Sequence, residues 1–393
     1  MKTESPTGHN RFSVSGRLLV DGRLVAGALV VDGDRIVDVR MGGIGRTDAM
    51  GALPEPRFEA DIVSPGLVDL QCNGSLGFEV TDGASALDIM ATRLTRRGVT
   101  TFLPTVVSAT ATRYRSAAGL ISRMVRTPLG SRVPGLHLEG PLLSPARAGV
   151  HDARAIAAAD ATLDEVLDHL LAAGALRLVT LAPERPGALA RIRRLVAAGV
   201  AVSLGHTDAT FDQMIAGIDA GATLVTHLFN AMSGLHHRAP GAVGAALTDD
   251  RVAVSLIADG VHVHPAALKL AMLAKGSDRI VLVTDAVAAA GAGPGSYRLG
   301  GVSVISDGES VRLADGTLAG STLTMDRAVR TMVSLGGARI EEALTMASTV
   351  PAARVGLLDR GTLAVGRRAD LVLWSANLEV ETTIVGGEVA FRA

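Results

Sequence analysis

Four polar side chains stand at the ends of apolar runs in the middle of the chain. Glu139 closes His137-Leu138-Glu139, His206 closes Ser203-Leu204-Gly205-His206, His227 closes Leu224-Val225-Thr226-His227, and Asp285 closes Leu282-Val283-Thr284-Asp285. A polar group in such a place is costly to bury without a partner. One histidine at the end of an apolar run is commonly a satisfied structural residue. Four such groups on separate runs are hard to explain by packing and point to a shared site. One carboxylate and two imidazoles make a three-ligand set for a divalent ion with an open fourth position. An ion there brings the pKa of a water toward neutrality. Asp285 is the remaining carboxylate, able to accept a proton from that water and to pass it to a leaving amine. These parts suit hydrolysis of an amide or a related carbonyl compound.

The four residues need a scaffold that brings distant segments together. Apolar, strand-length runs fall at 66–71, 99–104, 135–139, 178–182, 201–206, 223–227, 252–258 and 280–285. Helical patterns rich in Ala, Leu and Arg fill most gaps, for example at 86–97, 163–173, 189–198 and 211–220. Alternating strand and helix implies parallel pairing, and eight repeats predict an α/β fold of the (β/α)8 barrel type. Such barrels keep their working residues at the C-terminal ends of the strands, where these four lie. Three segments break the rhythm: 142–152, 230–249, and a Gly-rich excursion at 286–320 with a hairpin-like 303–313. Long loops of this kind build barrel active sites.

Residues 12–39 read as short strands with Asp21-Gly22 and Asp32-Gly33 turns, and 369–374 and 382–385 read as strands at the other end. Each group is too small to bury a core alone, so the two ends are expected to join in a small β-sandwich. The expected division is 1–64 and 356–393 for that unit and 65–355 for the catalytic barrel. Residues 41–59, richer in Gly and Pro, are expected to be a loop.

Composition narrows the partners. Of 393 residues, 48% are hydrophobic and 20% charged, so the chain can bury a large core. The net charge is -1, with 38 basic against 39 acidic residues, which argues against nucleic acid or a membrane surface as partner. A small anionic ligand is still compatible, because a few Arg and His residues suffice for one phosphate. The single cysteine, Cys72, rules out an internal disulfide, and residues 1–12 are polar, so a cytoplasmic location is expected.

The segments His137-Leu138-Glu139-Gly140-Pro141, Gly205-His206-Thr207, Thr226-His227-Leu228-Phe229-Asn230-Ala231-Met232 and Thr284-Asp285-Ala286, with the tail pattern Gly361-Thr362-Leu363, Gly366 and Ala369-Asp370-Leu371, resemble the amidohydrolase superfamily. Within it they are most similar to the N-acetylglucosamine-6-phosphate deacetylases, over about 16–389. The resemblance implies that Glu139, His206 and His227 bind the metal and that Asp285 is the catalytic acid/base. It implies substrate contacts from His151, Asn230 and Ala231, phosphate contacts from Arg238 and His262, and a place near the acetyl group for Ala319. It also implies a homodimer, in which Arg238 and His262 serve either their own or the neighbouring subunit's site.

Departures from the superfamily bear on the metal. Many members carry His-x-His at the end of the first strand for a second ion, where this chain has Gln71-Cys72-Asn73. Amides are poor replacements for imidazole on zinc. Other relatives bridge two ions with a carboxylated lysine, but Lys2, Lys269 and Lys275 are the only lysines and none falls on an expected barrel strand. One divalent ion per chain is therefore expected. Glu/His/His suits zinc, and iron, cobalt or manganese can serve. Two rivals remain at this point: another amidohydrolase acting on a different amide, and an inactive barrel used as a binding module. Arg238 and His262 favour a phosphorylated substrate over a neutral ring, and the complete ligand set disfavours the second rival. His137 is expected to support the site or pack in the core, Cys72 to be a small buried apolar group, and His264 to cap a helix or lie at the surface.

Overall fold

The computed structural model of the protein describes residues 11–42, 56–124 and 133–393. Eight strands form one parallel sheet in chain order: Leu67–Cys72, Val99–Val106, Leu136–Glu139, Leu176–Leu181, Ala201–Leu204, Leu224–Val225, Ala253–Ile257 and Ile280–Val283. Every residue of the first and seventh strands is buried, as befits parallel strands covered on both faces. First and last strands meet at the C-terminal mouth. There the Asp285 N–H donates to the Gln71 carbonyl at 2.9 Å and the Asn73 N–H to the Ala286 carbonyl at 2.8 Å. Just below, Asp69 accepts from the Thr284 N–H at 3.2 Å and from its hydroxyl at 2.6 Å. The sheet is thus rolled into a nearly closed barrel.

Helices pack outside the strands through periodic apolar faces. Ala188–Ala197 buries Ala188, Ile192 and Leu195, while Arg191 and Arg194 face outward to Asp164 of the helix Ala153–Ala172. Caps fix several helix starts: Asp152 accepts from the Arg154 N–H, Thr210 and Gln213 form a capping box, and His264 accepts from the Ala266 N–H ahead of Pro265. Each such cap contributes about 1 kcal/mol. The helix expected at 163–173 begins ten residues earlier, because its Ala-rich first half has one large apolar residue, Ile156, too few to reveal a period. The irregular stretch 230–249 contains a helix, Gly241–Thr248.

The excursion at 286–320 is an antiparallel sheet of four strands, Gly295–Leu299, Val302–Ser306, Ser310–Arg312 and Leu318–Ser321. Its small core includes Val287, Leu299, Val304, Val311 and Ala319. The expected hairpin is its middle pair.

Both chain ends share a seven-stranded sheet, in the order Glu388–Arg392, Val380–Val385, Leu371–Trp374, Pro56–Pro65, Phe12–Val20, Arg23–Asp32, Arg35–Met41. The joint is Pro56–Pro65, parallel to Phe12–Val20 on one side and antiparallel to Leu371–Trp374 on the other. Alternation along these strands serves two cores. Val63, Leu371 and Leu373 join the sheet's own core, while Ile62, Val372 and Trp374 join the barrel's. The Trp374 indole N–H donates to Ser64 Oγ at 2.9 Å. The expected loop at 41–59 is corrected at its end: from Pro56 the chain is already strand, and residues 43–55 lie outside the described residues. Among the described residues no helix is long and apolar enough to cross a membrane.

Candidate active site

Three ligand atoms converge at the barrel mouth. His206 Nε2 and His227 Nε2 lie 3.0 Å apart, and Glu139 Oε1 is 3.3 Å from the first and 3.2 Å from the second. A tetrahedral ion with bonds of about 2.0–2.1 Å separates its ligand atoms by roughly 3.3 Å, so the triangle has the edges such an ion requires. Protonation agrees. The His206 Nδ1–H donates to the Arg147 carbonyl at 2.9 Å, which leaves Nε2 as a bare lone pair aimed inward. His227 Nδ1 is buried with no hydrogen-bond partner, so the ring's polar contacts are made by Nε2. Burial would push the Glu139 carboxyl up, but the adjacent His206 and His227 outweigh it and hold the group well below the usual carboxylate range. The residues present fit a divalent ion.

The sequence placed His206, His227 and Asp285 on their strands. The structure places all three just beyond the strand ends, in the left-handed region at φ 47°, 31° and 48°. Side chains rarely adopt this backbone, and each instance costs about 1–3 kcal/mol. Neighbours hold it in place: the His227 N–H donates to Ser255 Oγ at 2.7 Å, and the His206 carbonyl accepts from the Ser144 N–H at 2.8 Å.

His151 brings a fourth group, with Nε2 3.9 Å from Glu139 Oε2. Its ligand atom lies within 4.8 Å of those of Glu139 and His206, so distance alone would admit it to the metal set. Its hydrogen bonds argue for a different part. Nδ1 accepts from the Ser108 N–H at 3.1 Å, which puts the ring proton on Nε2 and makes that atom a donor. Burial, reinforced by the nearby His206, pushes His151 down to about 3, so the ring is neutral near pH 7. His227, whose Nε2 is nearer to Glu139 and 3.0 Å from His206 Nε2, completes the triangle better.

Asp285 faces this cluster. Its Oδ1 accepts from Asn73 Nδ2 at 2.6 Å and from Gln71 Nε2 at 3.1 Å. Burial, and then the negative charge of Glu139, push the carboxyl up to about 7. Asp285, Asn73, Glu139 and the three histidines line a cavity of about 330 Å³, large enough for a small polar ligand.

Of the other residues singled out in the sequence, Asn230, Ala231 and His262 line the same cavity. Asp259 holds His262: Oδ2 is 2.7 Å from Nδ1, and Oδ1 accepts the His262 N–H at 2.8 Å. Ala319 does not line the cavity but packs in the core of the four-stranded sheet, while Leu318 and Gly320 on either side of it do line the cavity. Arg238 is exposed on the loop and stacks no charge into this chain's own cavity; its Nη1 is 3.0 Å from His237 Nε2. His137 is buried below the mouth, between Thr105 and Thr180. Cys72 is a free, buried thiol and His264 caps a helix. Sequence reasoning missed Asp259 and Ser108, and read Gln71 and Asn73 only as lost metal ligands.

A barrel with a carboxylate–imidazole ion site and a facing aspartate at its C-terminal mouth defines a hydrolase of the metal-dependent barrel class. The model of the amidohydrolase family matches residues 62–390, and the chain belongs to that family. It is 43% identical over 336 residues to the N-acetylgalactosamine-6-phosphate deacetylase of Escherichia coli O157:H7, covering 84% of this chain and 88% of that one. It is 40% identical over 343 residues to the N-acetylglucosamine-6-phosphate deacetylase of Bacillus subtilis (strain 168), covering 84% and 85%. Among solved structures, a mutant of the Mycobacterium smegmatis N-acetyl-D-glucosamine-6-phosphate deacetylase in complex with N-acetyl-D-glucosamine-6-phosphate superposes with a TM-score of 0.87 at 36% identity, covering 97% of this chain and 99% of that one.

Proposed function

We propose that the protein removes the acetyl group from N-acetylglucosamine-6-phosphate, giving glucosamine-6-phosphate and acetate in amino-sugar catabolism and recycling. The observation that carries this reading is the ligand triangle of Glu139, His206 and His227 facing Asp285 across one cavity. Relatives bearing that activity cover most of the chain.

Glu139, His206 and His227 would hold one divalent ion, zinc being the best match to the donor set. When bound, such an ion polarises a carbonyl and lowers the pKa of water. The remaining work belongs to the chain. Asp285 takes a proton from the attacking water as the new C–O bond forms at the acetyl carbon. His151 donates from Nε2–H to the oxygen on which negative charge develops, or to a sugar hydroxyl. Asp285 then delivers the proton to the departing nitrogen, the C–N bond breaks, and acetate and the free amine result. A carboxyl in a pocket that raises its pKa is suited to both transfers near neutral pH.

Asn230 and Ala231 lie along the sugar, and His262, held by Asp259, receives the phosphate. Arg238 lies outside the cavity of its own chain, which supports a role in the site of a second copy within a homodimer. A single buried cysteine and the absence of any disulfide suit the cytoplasm. The C4 epimer, N-acetylgalactosamine-6-phosphate, is the second substrate to consider, because the Escherichia coli relative at 43% identity carries that name.

The test is stoichiometric release of acetate and free amine from N-acetylglucosamine-6-phosphate by the ion-loaded protein. Failure to release acetate from this sugar and from its C4 epimer would overturn the reading.

A further inference from the structure

Gln71 and Asn73 stand at the C-terminal end of the first barrel strand, and both are buried and engaged. Gln71 Nε2 has two hydrogens and two carboxylate partners, Glu139 Oε1 at 2.9 Å and Asp285 Oδ1 at 3.1 Å. Asn73 Nδ2 donates to the same Asp285 Oδ1 at 2.6 Å. The two amides therefore converge on one oxygen of Asp285 and on none of the imidazoles. Two N–H donors on Oδ1 pin the plane of the carboxylate and leave Oδ2 as its proton-accepting oxygen. The Gln71 amide also ties together two carboxylates that would otherwise repel.

We infer that Gln71 and Asn73 are positioning residues for the reaction: through their amide N–H groups they hold Asp285 with Oδ2 toward the attacking water. This rests on the reading of Asp285 as the group that moves the proton. It explains why amides, which are weak ligands, stand at the end of the first strand. The carboxylate they orient sits just beyond the last strand, across the seam where the Asp285 N–H donates to the Gln71 carbonyl at 2.9 Å. The same residue thus closes the barrel with its backbone and aims the acid/base with its side chain.

The test uses the ion-loaded enzyme and two near-isosteric variants that cannot donate, Gln71→Met and Asn73→Leu, alongside Asp285→Asn. The expected result is a fall in kcat of ~10–100-fold for Gln71→Met and for Asn73→Leu, the scale of a lost charge-assisted hydrogen bond, and a larger fall for Asp285→Asn. KM for N-acetylglucosamine-6-phosphate and the ion content should stay close to those of the parent, and the acid limb of the pH–kcat profile should move. Should Asn73→Leu fail to fold, Asn73→Ser, whose shorter hydroxyl does not reach Asp285, gives the same test. Unchanged kcat in Gln71→Met and Asn73→Leu, with Asp285→Asn strongly impaired, would overturn the inference and leave the acid/base role intact. Loss of the ion in step with activity would also overturn it, because the amides would then be serving Glu139. An Asp285→Asn variant as active as the parent would instead overturn the reading on which the inference rests.

Discussion

His206 and His227 point their Nε2 atoms at one another across 3.0 Å. With the His206 proton committed to the Arg147 carbonyl, an inward lone pair faces a second imidazole and a carboxylate. A cation satisfies all three at once. We therefore predict about one tightly bound divalent ion per chain. Elemental analysis after gentle purification checks it, and a reproducible count near two would contradict the argument from Gln71 and Asn73. His206→Ala and His227→Ala should each lose the ion.

Asp285 makes the complementary prediction. Asp285→Asn keeps the shape but removes the proton acceptor, so kcat should fall by at least ~100-fold, within the range of general acid/base contributions. The ion should stay bound. A variant that loses its ion would show Asp285 to be a ligand first.

The phosphate grip is tested at Arg238 and Asp259. Arg238→Ala should lower kcat/KM on the phosphorylated sugar by ~10–1000-fold, as expected for one or more lost charge-assisted bonds. Asp259→Asn removes the charge that faces His262 Nδ1 at 2.7 Å and should cost ~10-fold on the same substrate. Residual activity on the unphosphorylated sugar should change little in either variant. Equal losses on both sugars would mean that these residues hold the loop or a subunit contact rather than the phosphate.

Asp69 supplies a prediction about pH and stability. Burial pushes its carboxyl up to about 6 from the ordinary 3.8, against the hydrogen bonds from Thr284 and Gln71. Between about pH 4 and 6 the folded chain keeps a proton that the unfolded chain has released, so this group's contribution to stability falls as pH rises through that window. Asn at the position can accept the same two N–H groups without titrating. Asp69→Asn should therefore gain on the parent by about 2–3 kcal/mol at most between pH 4 and pH 7. Thermal unfolding of both proteins across that range measures it, and a constant difference in Tm would refute it.

The parts of the site that were legible in the sequence share one trait. Glu139, His206, His227 and Asp285 each interrupt an apolar run, and an interruption of that kind is a local signal. Other parts depend on contacts distant in sequence. Gln71 and Asn73 reach Asp285 across 214 and 212 residues, and no local pattern marks a pairing of that span. Asp259 hides in an Asp-Gly pair that reads as turn punctuation, although its carboxylate orients His262. The strand Pro56–Pro65 was obscured by the prolines at its ends and by a parallel pairing with Phe12–Val20 that alternation alone does not reveal. The left-handed backbone at His206, His227 and Asp285 was hidden as well, because ordinary side chains give no sign of positive φ.

The most direct test of the account compares acetate release from N-acetylglucosamine with and without its 6-phosphate, using the same ion-loaded protein. Binding energy gathered at C6 can position the C2 acetamide against Asp285 and His151, so the phosphorylated sugar should be favoured in kcat/KM by ~100-fold or more. Comparable rates on the two sugars, or acetate from neither, would contradict it.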